Sequence, residues 1–167
     1  MDILLTSVTD IDELEFKPIE EVWNEYELRD GTKIKGRTFV TRIAEIKNAP
    51  LSPNANPKSI GTNLNISLEK NFQVFAPNDK KSSPTPIPTN INAIPDDQKE
   101  EVKVLTYSEP WNTYEIIKNG IIIRVKIVVS DVYRIKNVYD QFGQPFYVIK
   151  NSPVFDFKLN VKKEKFA

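Results

Sequence analysis

Lys33, Lys35 and Arg37 stand at alternate positions of one run, and Ile122, Arg124 and Lys126 stand at the matching positions of a second. Alternate side chains of an extended strand share a face. Each run therefore sets up a row of cations at a spacing able to follow a phosphate backbone. The same rows would equally serve as solvated strand faces that discourage edge-to-edge pairing. Tyr139, Phe142 and Tyr147, with Tyr133, gather around a turn that has Gly143 at its tip. Rings so placed can stack on bases or anchor a protein partner, and Phe142 is the one least needed by a core.

Covalent and acid–base chemistry is poorly supplied. The chain has no His and no Cys, which removes the commonest general base, the commonest transition-metal ligand and any thiol nucleophile. Its 5 glycines are scattered, so they form no phosphate-cradling loop. The carboxylates concentrate in an acidic N-terminal stretch and not on strands that could hold two of them in register. Asp10-x-Asp12 has the opening spacing of a calcium loop but lacks its Gly and its distal Glu. A non-enzyme without metal or small-molecule cofactor is expected. The 23 basic and 23 acidic residues balance, which argues against a purely non-specific nucleic-acid binder. No apolar run approaches the roughly 20 residues needed to span a bilayer, and Met1–Leu5 has no basic flank ahead of a long apolar core. No membrane association and a cytoplasmic location are expected.

The elements that must position these side chains occur in pairs. Trp23-Asn24-Glu25-Tyr26-Glu27-Leu28 is answered by Trp111-Asn112-Thr113-Tyr114-Glu115-Ile116, Gly31 by Gly120, and Ile46-Lys47-Asn48 by Ile135-Lys136-Asn137. A period this long predicts one small β unit used twice, an internal duplication. Units of about 55 to 65 residues are marginal alone and would gain from packing on each other.

The expected order is an acidic N-terminal arm at 1–22, a first β-barrel at 23–75, a Pro-rich linker at 76–101, a second β-barrel at 102–161 and a charged tail at 162–167. Asp30-Gly31 predicts a tight hairpin turn. The strand after it changes its buried face midway, which requires a bulge or bend, expected at Gly36. Polar Asn48–Thr62 reads as a loop, Glu69-Lys70-Asn71 as a turn between two strands, and Val102–Tyr107 as an extra strand of the second barrel. The two strands Phe146–Lys150 and Val154–Leu159 would close that barrel. No helical period appears, so the fold class is all-β, as two tandem small β-barrels.

The second copy, W-N-x-Y-E followed by V-Y-R and Y-D-x-x-G-x-P-x-Y-V, resembles short archaeal proteins of no assigned activity, over about 50 residues. That resemblance implies an archaeal or archaeal-virus source. Asp30-Gly31-x-x-Ile34-x-Gly36 is similar to the opening strand pair of Sm-like barrels, although the Asp of their RNA-contacting element is missing near Asn63-Leu64-Asn65. Taken together, the residues favour a non-catalytic protein-interaction or assembly module with a protein partner or self-association, its contacts made by exposed strand edges and by Tyr139, Phe142 and Tyr147. The alternative is nucleic-acid binding through Lys33, Lys35, Arg37, Arg124 and Lys126, with the acidic arm as a competitor.

Overall fold

A computed structural model describes residues 10–47 and 63–159. The loop expected at 48–62, the first nine residues and the tail at 162–167 lie outside the described residues. The described chain is all-β, with ten strands in order: β1 (Ile11–Glu13), β2 (Phe16–Glu20), β3 (Asn24–Leu28), β4 (Lys33–Ile46), β5 (Leu64–Phe75), β6 (Lys99–Glu101), β7 (Val104–Ser108), β8 (Asn112–Ile116), β9 (Ile122–Tyr139) and β10 (Pro145–Lys158). Among the described residues no helix is long and apolar enough to cross a membrane.

The strands form two five-stranded antiparallel sheets, and neither closes into a barrel, which corrects the expectation of two small barrels. In the first sheet β4 pairs with β5 along its length and with β3 and β1 at its two ends. In the second, β9 pairs with β10 along its length and with β8 and β6 at its two ends. Both sheets thus have the same internal plan. The fifth strand of each comes from the other half of the chain: β7 completes the first sheet on β3, and β2 completes the second on β8. Residues 10–22, expected as an arm, supply β1 and β2, and Val102–Tyr107 joins the first sheet and not the second unit.

Local chemistry explains the long strands. In β4 Ile34, Gly36, Thr38 and Val40 face inward, then Ile43 takes over the buried face. The change is made at Thr41, which is skipped in the β4–β5 register and whose hydroxyl donates to the Ser67 carbonyl at 3.2 Å. Ser130 does the same in β9, donating to the Lys150 carbonyl at 3.3 Å where the β9–β10 register shifts. Gly36 is not the bend. It makes room for Phe72, whose ring would lie 2.7 Å from any Cβ at that position. Lys70 stays in register opposite Thr38, so β5 is one strand with no turn at Glu69–Asn71. The Asp30-Gly31 turn forms as expected, with Gly31 at φ 89° and its N–H donating to the Leu28 carbonyl.

Two cores result, and each is shared between the sheets. Leu14, Val40 and Ile43 pack with Tyr114, Ile116, Ile123 and Val125. Tyr26, Leu28 and Ile34 pack with Val102, Val132 and Tyr147. Between the cores two buried asparagines make reciprocal contacts. Asn24 Nδ2 donates to the Ile127 carbonyl at 3.1 Å, and Asn112 Nδ2 donates to the Thr38 carbonyl at 2.7 Å. The Pro-rich segment after β5 carries three short 3-10 turns and runs along the β9–β10 turn. Ser82 N–H donates to the Gly143 carbonyl, and Thr85 and Tyr139 exchange backbone and hydroxyl hydrogen bonds.

Candidate interaction surface

The five cations picked out from the sequence fall into two separate groups. On the first sheet Lys35 and Arg37 lie over the Trp23 ring at 5.7 and 5.5 Å. On the second, Arg124 and Lys126 lie over Trp111 at 4.7 and 4.8 Å. Alternation places each pair on the strand face turned away from the core, as neighbours Ile34, Ile123 and Val125 are buried. The arginines are also paired with acids. Arg124 gives two hydrogen bonds to Asp156 Oδ2, at 2.6 and 3.0 Å, and Arg37 approaches Glu21 at 3.8 Å. Lys33 shares the outward face of β4 with Lys35 and Arg37 and lines a shallow groove with Glu25, Glu27 and Tyr107.

The aromatic set divides. Phe142 is 76% exposed at the tip of the β9–β10 turn, its N–H bonded to Asp140 Oδ1. Tyr139 is half-buried, its backbone tied to Thr85. Tyr147, expected as a surface contact, is buried in the second core. Its hydroxyl donates to Asp30 Oδ2 at 2.6 Å and meets Thr32 Oγ1 at 2.9 Å. A phenol adds apolar area with one polar tip, and here Asp30 of the β3–β4 turn satisfies that tip inside.

Tyr147 is one of three tyrosines bound in this way. Tyr26 donates to Glu109 Oε2 at 2.8 Å and Tyr114 to Glu21 Oε2 at 2.6 Å. Burial, and then the adjacent carboxylate, pushes all three above the ordinary tyrosine value. Burial alone would raise Asp30 too, but the Tyr147 hydroxyl, the Thr32 N–H and hydroxyl, and Lys80 together hold it below the usual carboxylate range. Folded-state values raised above the unfolded ones give stability that is complete below about pH 10 and is lost as pH climbs beyond it. Alkaline titration should therefore show these three ionising only as the chain unfolds. Tyrosinate absorbance and circular dichroism would change together at high pH, and a Tyr147→Phe variant would lose one tyrosine from that coupled step.

Sequence reasoning expected contacts at exposed strand edges without naming the strands; the most informative are the free edges of the two exchanged strands. β2 and β7 occupy matching places, each beside the first strand of the opposite hairpin. Backbone bonds from Ile117 N–H to the Glu15 carbonyl and from Arg29 N–H to the Lys103 carbonyl repeat the match. The side chains differ where an incoming strand would arrive. β2 carries Lys17, Pro18 and Ile19; β7 carries Leu105, Thr106 and Tyr107. A charge and a ring with no N–H to offer are the usual guards of a sheet edge, and β7 has neither. Leu105 is 57% and Tyr107 70% exposed. β10 carries Pro153 within its span, and β5 carries Glu69 and Lys70. The signal for β7 was present in the sequence, but only to a reader who had aligned residues 16–20 with 104–108.

Comparison of the chain with protein-family models, with curated proteins and with solved structures yields no match.

Proposed function

We propose that this protein is a non-catalytic assembly module that docks by strand addition at the edge of β7, with a second copy of the chain as the partner. The observation that carries this reading is the contrast between guarded β2 and unguarded β7. Antiparallel pairing of two β7 strands about Thr106 is self-complementary, as a twofold interface requires. It sets Leu105 opposite Tyr107 of the second copy, an aliphatic–aromatic cross-strand pair, and brings Lys103 toward Glu109. The two halves are read as products of an internal duplication. The matching registers, the bulges at Thr41 and Ser130 and the paired asparagines support that history. Nucleic-acid binding is the weaker reading, because the cations form two groups on different sheets and their arginines already face carboxylates.

Sedimentation velocity over a wide range of protein concentration tests the proposal. The wild-type chain is expected to dimerise reversibly. Tyr107 faces Tyr26 in a pair that makes no backbone bonds to β3, so its N–H lies at the free edge. Tyr107→Pro is expected to weaken the dimer by about tenfold or more, through loss of that donor and of the Tyr107 ring from each copy. Its thermal midpoint should stay near wild type, since Pro18 is already accommodated at the matching place in β2, opposite Tyr114 as Tyr107 is opposite Tyr26. A chain that remains monomeric at every concentration, or a proline variant that dimerises as tightly as wild type, removes β7 self-docking.

A further inference from the structure

A cavity of about 700 Å³ opens beside Tyr26, between β7 and the bulged middle of β9. Its floor is apolar, formed by Val102, Val104, Val129 and Val132. The matching place in the other half, beside Glu13, Leu14 and Phe16, is a hollow of about 310 Å³. Side chains account for the difference. Where the first half has Phe16, packed edge-on to Tyr114 with ring centroids 5.9 Å apart, the second has Val104 beside the matching Tyr26. A ring-sized volume of apolar contact is therefore missing in the second half.

The mouth differs in a related way. In the first half Arg42 Nε binds Glu13 Oε1 at 2.6 Å. Glu101 stands at the position of Glu13, and Asp131 at the position of Arg42. Two carboxylates thus take the place of an ion pair, and among the described residues neither has an ion-pair partner. The other charged groups lining the cavity are Glu109, which accepts from the Tyr26 hydroxyl and the Val129 N–H, and Lys103. Three acids against one ammonium give the site a net negative charge, in a concave setting that strengthens its field.

We infer that this cavity binds an organic cation with a ring-sized apolar body: an ammonium or guanidinium group set between Glu101 and Asp131, and an aryl or alkyl portion filling the volume that Phe16 fills in the other half. The guest supplies what the first half supplies from its own chain, the ring of Phe16 and the cation of Arg42. A small arylalkylamine and a peptide presenting Arg beside an aromatic residue share this chemistry. The inference does not depend on β7 self-docking, since the floor of the cavity belongs to the monomer.

The test is titration of the full chain with phenethylammonium, with 3-phenylpropionate, and with acetyl-Phe-Arg-amide, followed by amide chemical shifts and calorimetry. Saturable binding of the cationic probes is expected, with shifts centred on Val104, Ser130 and Val132 and none from the anion. Tighter binding of the amine would indicate a free small molecule as the guest, and tighter binding of the peptide a segment of another chain. Val104→Phe, which rebuilds the plug, and Asp131→Arg, which rebuilds the ion pair, should each weaken binding at least tenfold while the fold is kept. Asp131 lies at the mouth, so that variant remains decisive should Val104→Phe misfold. Absence of saturable binding by both cations would overturn the inference. So would equal binding of the phenylpropionate anion, or undiminished binding by folded Asp131→Arg.

Discussion

Severed between Thr89 and Asn90, the chain is expected to give two halves of which neither folds alone, while an equimolar mixture recovers the native fold. The break falls in the exposed Pro-rich segment, before Asn90 caps the short 3-10 turn Ile91–Ala93. The first half keeps β1 to β5 but loses β7, so β3 would be left as an open edge. It would also lose Tyr114, Ile116, Ile123 and Val125, which cover Leu14, Val40 and Ile43. The second half suffers the matching losses: β2 from its sheet, and Tyr26, Leu28 and Ile34 from its core. Burying side chains of this size stabilises by about 1.5–3 kcal/mol each. Removing three or four at once is comparable to the whole stability of a typical domain, about 5–15 kcal/mol. Near-ultraviolet circular dichroism of each half and of the mixture is the measurement. A half with native-like signal and a cooperative melt of its own would contradict the shared-core account.

The largest effect expected from a single side chain belongs to Asn112, which is 2% exposed. Its Oδ1 accepts from the Val22 N–H at 2.7 Å and its Nδ2 donates to the Thr38 carbonyl at 2.7 Å. One amide thereby ties β8 both to β4 of the first sheet and to the chain leaving β2. Asn112→Ala would leave the carbonyl and the N–H without partners in a closed space. An unsatisfied buried group costs about 1–3 kcal/mol, so a total near 3 kcal/mol follows. In a chain of this size that lowers the thermal midpoint by roughly 6–12 °C. Asn24→Ala should cost less. Pro110 stands where the other half has Val22, and proline has no N–H to strand. Chemical denaturation of both variants would rank them. Equal costs, or a larger one at Asn24, would show that the amide contacts are not what joins the sheets.

These expectations show which levels of the fold were legible from residues alone. The β-branched runs Ile121–Ile123 and Ile127–Val129, and the turns at Asp30-Gly31 and Gly143, report local backbone preference, and the structure carries them. The face change in β4 was also legible as a parity break. Its site was misplaced because Gly36 is the obvious breaker, whereas a bulge at Thr41 needs only an extra residue and a hydroxyl. Glu69-Lys70-Asn71 read as a turn because three polar residues in a row resemble one, and in an exposed edge strand they are tolerated equally well. Strand partnership was not legible. Phe16–Glu20 and Val104–Ser108 are five residues each, too short for alternation to name a partner. The acidic residues around the first of them masked its kinship with the second. Both the β7 edge and the cavity follow from comparing those two stretches, so both stayed hidden. The cationic rows were legible as rows, but their rings and carboxylate partners depend on packing.

The exchange of β2 and β7 also governs when this protein can fold. During synthesis the first half leaves the ribosome before β7 and β8 exist, so β2 has no strand to pair with and Leu14, Val40 and Ile43 have no cover. The nascent chain must wait, with sheet edges and apolar side chains open, until nearly all of β9 has emerged. Folding is thereby deferred until the second half has been made and is built from contacts distant in sequence, the kind that form slowly. Two chains made side by side on one message could each supply the strand that the other awaits.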